Sequence, residues 1–516
     1  MLSREERIRS IKRNPSISVL IVGAGINGIG TFLDLALQGV DVLLIDRGDY
    51  CSGASSASSH MVHGGIRYLE NGEFRLVREA VRERNRLLQN APHLVKPLPT
   101  TFPTFKWFSG LFNAPFKFLG LLDKPAERGA LVIKIGMLFY DFYARDQGTV
   151  PTHVFRNKKK SIALFPELNP EIVSTGTYYD GSMEAPERIA IELITDAVEL
   201  NERAIPLNYM SMVSAEGDKV ILRDMIDEST ILVQPKVVIN AGGPWIDLIN
   251  RSIGEETEFI GGTKGSHIVL DNPKLRAAIG DHEFFFENED GRIVLIFPLG
   301  DKVLIGTSDI RIENPDQAII TDEEVHGFID MVGRVFPSIE VDLSQIVYTF
   351  SGVRPLAYSQ SNPTGQISRD HQIKAIEPDN KIGFPVYSLI GGKWTTYRAF
   401  SETISDIVLD HLGVQRRFST RNYRIGGGKD YPRTKEDLDA FIGAFVSDAN
   451  IDRDRAEILF SRYGTNATRM LDGAGTGKGR FLRNYPDISI DESTEIRQDL
   501  PDQLGGRPTL GTIHNA

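Results

Sequence analysis

Cysteine is almost missing from this chain, with Cys51 alone among 516 residues. One thiol excludes an internal disulfide and fits a reducing compartment. Long apolar runs are missing as well. Because no apolar run reaches the length that spans a bilayer, about 18 residues, no transmembrane helix is expected. The opening MLSREERIRSIKRN is charged and lacks the apolar stretch of a secretory signal, so residues 1–16 are expected to form a polar leader on a cytoplasmic protein. Positive charge is in deficit, with 58 Lys and Arg against 69 Asp and Glu and a net charge of -11. A chain without cationic surplus does not release phosphate counterions, which argues against nucleic acid as a partner. Clustered metal ligands are lacking too. His60 and His63 stand at i, i+3 with no third donor in view, so no metal site is expected. Repeats and low-complexity tracts are absent.

What is present reads as a globular protein of two or three domains, 41% hydrophobic and 25% charged. The most informative stretch is VLIVGAGINGIGTFLDLALQGVDVLLID, Val19 to Asp46. An apolar strand stops at Gly23-x-Gly25-x-x-Gly28, a helical pattern follows, Gly39 breaks it, and Val42–Ile45 reads as a second strand ending in Asp46. The strand, turn, helix and strand together are the context of a dinucleotide site. The first glycine makes the turn, the second admits a pyrophosphate, and the third lets helix and strand pack. The helix N-terminus supplies N–H groups to phosphates. Asp46, eighteen positions beyond Gly28, is placed for ribose hydroxyls. The later Gly473-x-Gly475-x-Gly477-Lys478 only imitates a P-loop, because Asp472 and Gly479 stand where the first glycine and the magnesium-binding hydroxyl belong.

Along the rest of the chain, Ser55, Ser56, Ser58 and Ser59 lie among five glycines between 48 and 72 and predict a loop. Phe74–Leu88 has helical spacing. Phe105–Leu122 is aromatic, with Lys106 and Lys117 and no acid; it reads as a helix pair over the core, or as a segment dipping into a bilayer interface. Leu131–Tyr143 reads as a buried helix, Lys158–Lys160 as a solvated turn, and Pro186–Arg203 as a helix. Met210–Leu222 and Ile231–Ile239 suggest an antiparallel sheet. Lys236–Trp245 runs from a strand into Ala241-Gly242-Gly243, a second close backbone approach for a dinucleotide. Residues 258–310 alternate as strands, and from about 405 the composition turns helical.

The run SGASSASSHMVHGGIRYLENGEFRLVREAVRER resembles the FAD-dependent, quinone-linked glycerol-3-phosphate dehydrogenases, as do KGSHIVL (264–270), GTSD (306–309), SGVRPL (351–356), SRDH (368–371) and GGKWTTYR (391–398). The resemblance implies an α/β flavoprotein: a Rossmann-like FAD domain, a mixed-sheet substrate domain of the glutathione-reductase or D-amino-acid-oxidase kind, and a C-terminal helical domain. Expected boundaries are 17–100, 175–255 and 350–404 for the first, 101–174 and 256–349 for the second, and 405–516 for the third. Non-covalent FAD is expected along Gly23, Gly25, Asn27, Gly28, Asp46, Ser55, Ser56, Ser59, His63, Gly64, Gly65, Ala241, Gly242, Gly392, Lys393, Thr395 and Thr396. The implied substrate pocket holds Arg67, Tyr68, His267, Arg354, Lys393 and Thr395, with His267, Arg354 and Lys393 carrying the chemistry.

Oxidising glycerol 3-phosphate needs forked cations for the phosphate, which Arg supplies better than Lys. It also needs a base near neutral pH, for which His267 is the first candidate; an arginine-rich pocket that lowers the alcohol's pKa is the alternative. Asp309 and Asp370 are expected to orient basic groups. Family members commonly carry Lys at His60 and Leu at Trp394, so another polyol phosphate, such as erythritol phosphate, stays open. So do oxygen as acceptor, as in an alpha-glycerophosphate oxidase, and a catalytically idle flavin-binding partner protein. A membrane quinone as acceptor, peripheral contact with the inner membrane's cytoplasmic face and a homodimer complete the expectations. Beyond Asn484 the family's closing Arg-Arg-Thr pattern is not found.

Overall fold

Val19 to Val22 are apolar toward both faces, and such a run is stable only where both faces are covered. In the computed structural model, which describes residues 2–66, 73–107, 129–144, 148–287, 293–359 and 370–474, the strand Ser16–Val22 lies between parallel partners Val42–Ile45 and Thr230–Asn240. Val386–Ile390 runs parallel to Thr230–Asn240, with Gln372–Ile376 as an antiparallel edge, and Ala204–Leu207 closes the other flank. The hairpin of Met210–Glu216 and Lys219–Asp224 continues the long strand, as its alternation predicts.

The helix Ile26–Leu37 covers one face, together with Pro186–Leu200 and Tyr397–His411. Gly39 ends it at φ +76, where the Val40 N–H donates back to the Leu35 carbonyl. The opposite face corrects the expected leader. Arg4–Arg13 is a helix, started by a Ser3–Glu6 capping box, that buries Ile11 against this sheet. Arg4 pairs with Asp224, and Arg7 donates to the Pro206 carbonyl at 3.1 Å.

The second sheet is mixed and, among the described residues, ten-stranded. Its order runs from Ile310–Arg311 through Thr263–Leu270, Lys302–Gly306, Ile293–Leu299, Glu283–Glu287, Lys96–Thr104 and Ser174–Ser182 to Met61–Val62. Ile346–Arg354 pairs antiparallel with Thr263–Leu270, opposing His267 to Phe350 and Thr263 to Arg354. The helix Asp322–Val335 buries Phe328, Met331, Val332 and Val335 against one face. The strands Lys96–Thr104, Ser174–Ser182 and Ile346–Arg354 all belong to this second sheet, although parts of them fall in the ranges assigned from sequence to the FAD domain. Likewise Tyr397–His411 packs on the first sheet's helix, and the C-terminal helices Lys435–Ala449, Arg453–Tyr463 and Ala467–Ala474 share their own core around Phe445 and Phe460.

Two local readings need correction. Ala130–Ala144 is a helix but not a buried one. Met137 and Tyr140 face inward, while Leu131, Ile135, Leu138, Phe139 and Phe142 lie exposed. Lys158–Lys160 is the exposed first turn of a helix capped by Asn157. Most of Phe105–Leu122 lies outside the described residues, as do Arg67, Tyr68, the stretch beyond 474 and the first half of SRDH.

Candidate active site

Four parallel strands end at one rim, and each hands on a residue singled out from the sequence: Gly23, Asp46, Ala241 and Gly391. Ligands of such sheets bind beyond these carboxyl ends. At Gly23, φ is +108 and a Cβ would stand 2.6 Å from the Ala241 carbonyl oxygen, so only glycine fits. A Cβ on Gly28 would meet the Gly23 carbonyl at 2.0 Å. Gly25 is the N-cap of the helix Ile26–Leu37, whose first turn holds no acidic side chain to oppose a phosphate. Asp46 accepts from the N–H groups of Ala24 at 2.7 Å and Gly48 at 2.9 Å; burial pushes its carboxyl upward against those bonds.

The serine loop meets three other parts of the site at once. Ser55 Oγ accepts from the Ile26 N–H at 2.9 Å at the helix start. The Ser55 carbonyl accepts from Trp394 Nε1 at 2.8 Å, and the His63 carbonyl from Thr395 Oγ1 at 3.0 Å. Ser59 Oγ lies 2.9 Å from His267 Nε2, and a Cβ on Gly352 would meet Ala57 at 2.8 Å. Ser56 turns back to the Gly53 carbonyl within the loop. Asn27 Nδ2 donates to the Gly391 carbonyl at 3.1 Å, which latches the 391–396 turn onto the nucleotide helix. The large Trp394 is spent on the Ser55 carbonyl of the serine loop and on the core.

These residues fit a bound dinucleotide. The rim is built of glycines that side chains would fill, and the buried Asn27 Oδ1 and Thr396 Oγ1 have no partner among the described residues. Asn27, Gly242, Gly392, Lys393 and Thr396 lie on this rim, and Lys393 Nζ is buried.

On the second sheet, His267 and Arg354 share one face. The imidazole stacks on Phe350, with ring centroids 4.8 Å apart, and its Nδ1 is buried without a hydrogen bond among the described residues. Gly306 makes room, since a Cβ there would lie 2.3 Å from the ring. Burial first, then the Arg354 guanidinium and His60, push His267 down to about 3, so it is neutral at physiological pH. Arg354 Nη2 donates to Thr307 Oγ1 at 2.9 Å and Nη1 to Asp309 at 3.4 Å, and the guanidinium lies over Gly265. Asp370 pairs with Arg75. His60 bonds the Glu184 carbonyl through Nδ1, at 2.9 Å.

Sequence reading missed two buried networks. The Gly64 N–H donates to Asp180 Oδ1 at 2.9 Å, and Arg84 and Tyr140 converge on the same carboxylate; Arg84 and Asp180 are 0% exposed. Asp180 also faces Glu283, whose carboxyl burial pushes up to about 8 despite the hydroxyl of Thr100. The second network, around Lys264 and Glu324, lies behind His267. Thr321-x-x-Glu324 was legible as a helix start, but its long-range partners were not.

The Glu283 shift predicts a pH effect. A carboxyl of ordinary value 4.5, raised to about 8 in the fold, holds its proton only when folded, so its contribution to stability is full below 4.5 and lost as pH climbs to 8. Glu283→Gln, a permanent mimic of the neutral acid, is expected to unfold later than wild type in denaturant at pH 8.5, with the advantage vanishing at pH 4.5. Equal midpoints at both pH values would show that Glu283 is already charged in the fold.

The family described as FAD dependent oxidoreductase matches residues 18–377. Among curated proteins, the chain is 34% identical to the glycerol-3-phosphate dehydrogenase of Synechocystis, over 95% of this chain and 88% of that one. It is 29% identical to the aerobic glycerol-3-phosphate dehydrogenase of Staphylococcus aureus, over 96% of this chain and 86% of that one. In fold it is similar to the glycerol-3-phosphate dehydrogenase of Bacillus halodurans solved with FAD, at TM-score 0.70 and 23% identity over 93% of this chain and 82% of that one. A likeness at TM-score 0.55 and 16% identity, over 77% of this chain and 95% of that one, links it to the L-alpha-glycerophosphate oxidase of Mycoplasma pneumoniae.

Proposed function

The chain belongs to the FAD-dependent glycerol-3-phosphate dehydrogenase family, and we propose on that footing that it oxidises sn-glycerol 3-phosphate to dihydroxyacetone phosphate. One observation carries the reading: a single loop, 55–63, is bonded to the nucleotide helix, to the 391–396 turn and to His267 of the substrate sheet. A substrate at that junction has the cofactor rim on one side and Arg354 on the other.

The Arg354 fork, oriented by Thr307 and Asp309, receives the phosphate dianion, with Lys393 as a second cation. FAD, when bound, supplies the acceptor for the hydride that leaves C2. His267 takes the hydroxyl proton. Its neutrality leaves one ring nitrogen with a lone pair to accept; burial is the main reason it is a weak base, and a phosphate on Arg354 cancels part of the smaller positive field. The depressed value also favours a second reading, in which the cationic pocket itself lowers the alcohol's pKa.

Adding sn-glycerol 3-phosphate anaerobically to the purified flavoprotein is expected to bleach the oxidised flavin bands. A yellow protein that stays oxidised would redirect the assignment to another polyol phosphate such as erythritol phosphate, or to the idle flavoprotein. His267→Ala is expected to retain FAD and slow bleaching about 10²–10⁴-fold. With wild type, kcat/KM should show no inflection near 6.5, because His267 stays deprotonated well below that pH. Unslowed bleaching by the alanine variant between pH 6 and 9 would select the electrostatic reading.

We further propose a membrane quinone as electron acceptor, with the protein docked peripherally. No described helix is long and apolar enough to cross a membrane. The helix Ala130–Ala144 supports docking instead. Its inner side gives Tyr140 to the loop at Gly64, while Leu138 and Phe142 on its outer side are 53% and 69% exposed.

A further inference from the structure

Glu324 sits behind the strand Thr263–Leu270, on the face opposite the site. Residues on this strand alternate: Thr263, Gly265 and His267 face the site, Lys264 and Ser266 face back. One carboxylate gathers the backward-facing groups. Oε1 accepts from Ser266 Oγ at 2.8 Å and Ser308 Oγ at 2.5 Å, and Oε2 from Lys264 Nζ at 2.7 Å and the Thr321 N–H at 2.8 Å. Ser308 also accepts from the Ser266 N–H at 2.9 Å. Ser351, directly opposite Ser266 in register, lies 2.8 Å away from it through its own hydroxyl; with the Ser266 proton committed to Glu324, Ser351 is the donor.

Each tied hydroxyl is close in sequence to a site residue. Ser266 precedes His267. Ser308 stands between Thr307 and Asp309, the two groups that orient Arg354. Ser351 lies three residues before Arg354 itself. We infer that Glu324 is a positioning residue for substrate phosphate binding: its carboxylate locks together the three segments whose other faces carry His267, Arg354 and the Thr307–Asp309 pair. This rests on the reading of Arg354 as the phosphate site.

Two observations separate positioning from simple support. A helix cap needs only Thr321 and Glu324, yet Oε1 is spent entirely on the hydroxyls of Ser266 and Ser308, outside the helix. The helix is already docked by Phe328, Met331, Val332 and Val335, and a buried ion pair adds little stability over apolar packing. What the network adds is register. Segment 307–309 cannot slide along strand 263–270 without breaking both bonds of Ser308. The carboxylate is fully ionised: burial would raise it, but Lys264 and Ser308 outweigh burial and hold it at about 2. The lock is therefore constant across the physiological range rather than pH-switched.

The test is calorimetric titration of the holoenzyme with inorganic phosphate, beside steady-state kinetics with sn-glycerol 3-phosphate. Glu324→Gln is expected to keep FAD, to weaken phosphate about 30-fold and to raise KM by a similar factor, with kcat changed far less, as a misplacement near 1 Å can cost up to about 10²-fold. In an Arg354→Ala background the same substitution should cost less than about twofold, because the group it positions is gone. Full multiplication of the two effects would overturn the inference, as would unchanged phosphate affinity in Glu324→Gln. Should Glu324→Gln not fold, Ser351→Ala, which removes one link and leaves the ion pair, is expected to weaken phosphate about fivefold; no weakening there also overturns it. A wild type that binds phosphate but is not bleached by sn-glycerol 3-phosphate sinks the substrate assignment alone, and the phosphate series then decides the positioning role. A wild type that binds no phosphate sinks both.

Discussion

Arg354→Ala is expected to lower kcat/KM for sn-glycerol 3-phosphate by about 2–4 kcal/mol, roughly 30- to 1,000-fold, with FAD content unchanged. The magnitude follows from what the guanidinium faces. Thr307 and Asp309 aim it, and Gly265 beneath it leaves room that no side chain would give. On the proposed placement of the substrate, removing it would leave a phosphate dianion beside Asp309 with its principal counter-charge gone. Arg354→Lys should recover only part of the loss, because an ammonium keeps the charge but not the fork. The substitution also removes one cause of the low His267 value, so any activity that remains in Arg354→Ala should lose its acid side at higher pH than wild type. An unchanged kcat/KM would take Arg354 out of the site, and a loss confined to FAD occupancy would reassign it to structure.

Asp180→Ala is expected to destabilise the protein by about 3–5 kcal/mol and to weaken FAD binding at the same time. Both Arg84 and Asp180 are fully buried, so the truncation strands a guanidinium charge where water does not reach it. The same carboxylate oxygen receives the Gly64 N–H, and Tyr140 shares it from the helix Ala130–Ala144. The expected flavin loop thus depends on a charge that belongs to the second sheet. Asp180→Asn separates the two effects: an amide oxygen still accepts from Gly64, but it no longer balances Arg84. The asparagine variant should be destabilised in denaturant while holding FAD better than the alanine variant. A denaturation midpoint at the wild-type value for Asp180→Ala would show that Arg84 is balanced by other groups.

Much of the nucleotide unit was legible because its constraints are local. An apolar run, three glycines at fixed spacing and an acid at the end of the second strand all fall within about thirty positions of sequence, although the Ala241 carbonyl that a Cβ on Gly23 would strike lies far along the chain. The helix Arg4–Arg13 was missed although its Ser3-x-x-Glu6 cap was readable, because so many of its residues are charged that the burial of Ile11 and Arg7 leaves little apolar periodicity. Ala130–Ala144 failed in the opposite sense. Its apolar residues run nearly all round, a pattern that normally means burial, yet one side faces out.

The sequence by itself determined the chemistry available: a dinucleotide turn, a serine loop, and His267 and Arg354 in runs that resemble a known family. Only the tertiary structure decided how these groups act on one another. It made His267 neutral by burying it near Arg354, spent Trp394 on the loop, and put Asp180 under Gly64 and Glu324 behind His267. The physical reason is distance along the chain. Residues 116 and 58 positions apart, as in those last two contacts, meet only after strands have paired, and no local propensity marks a buried charge for the partner it will find.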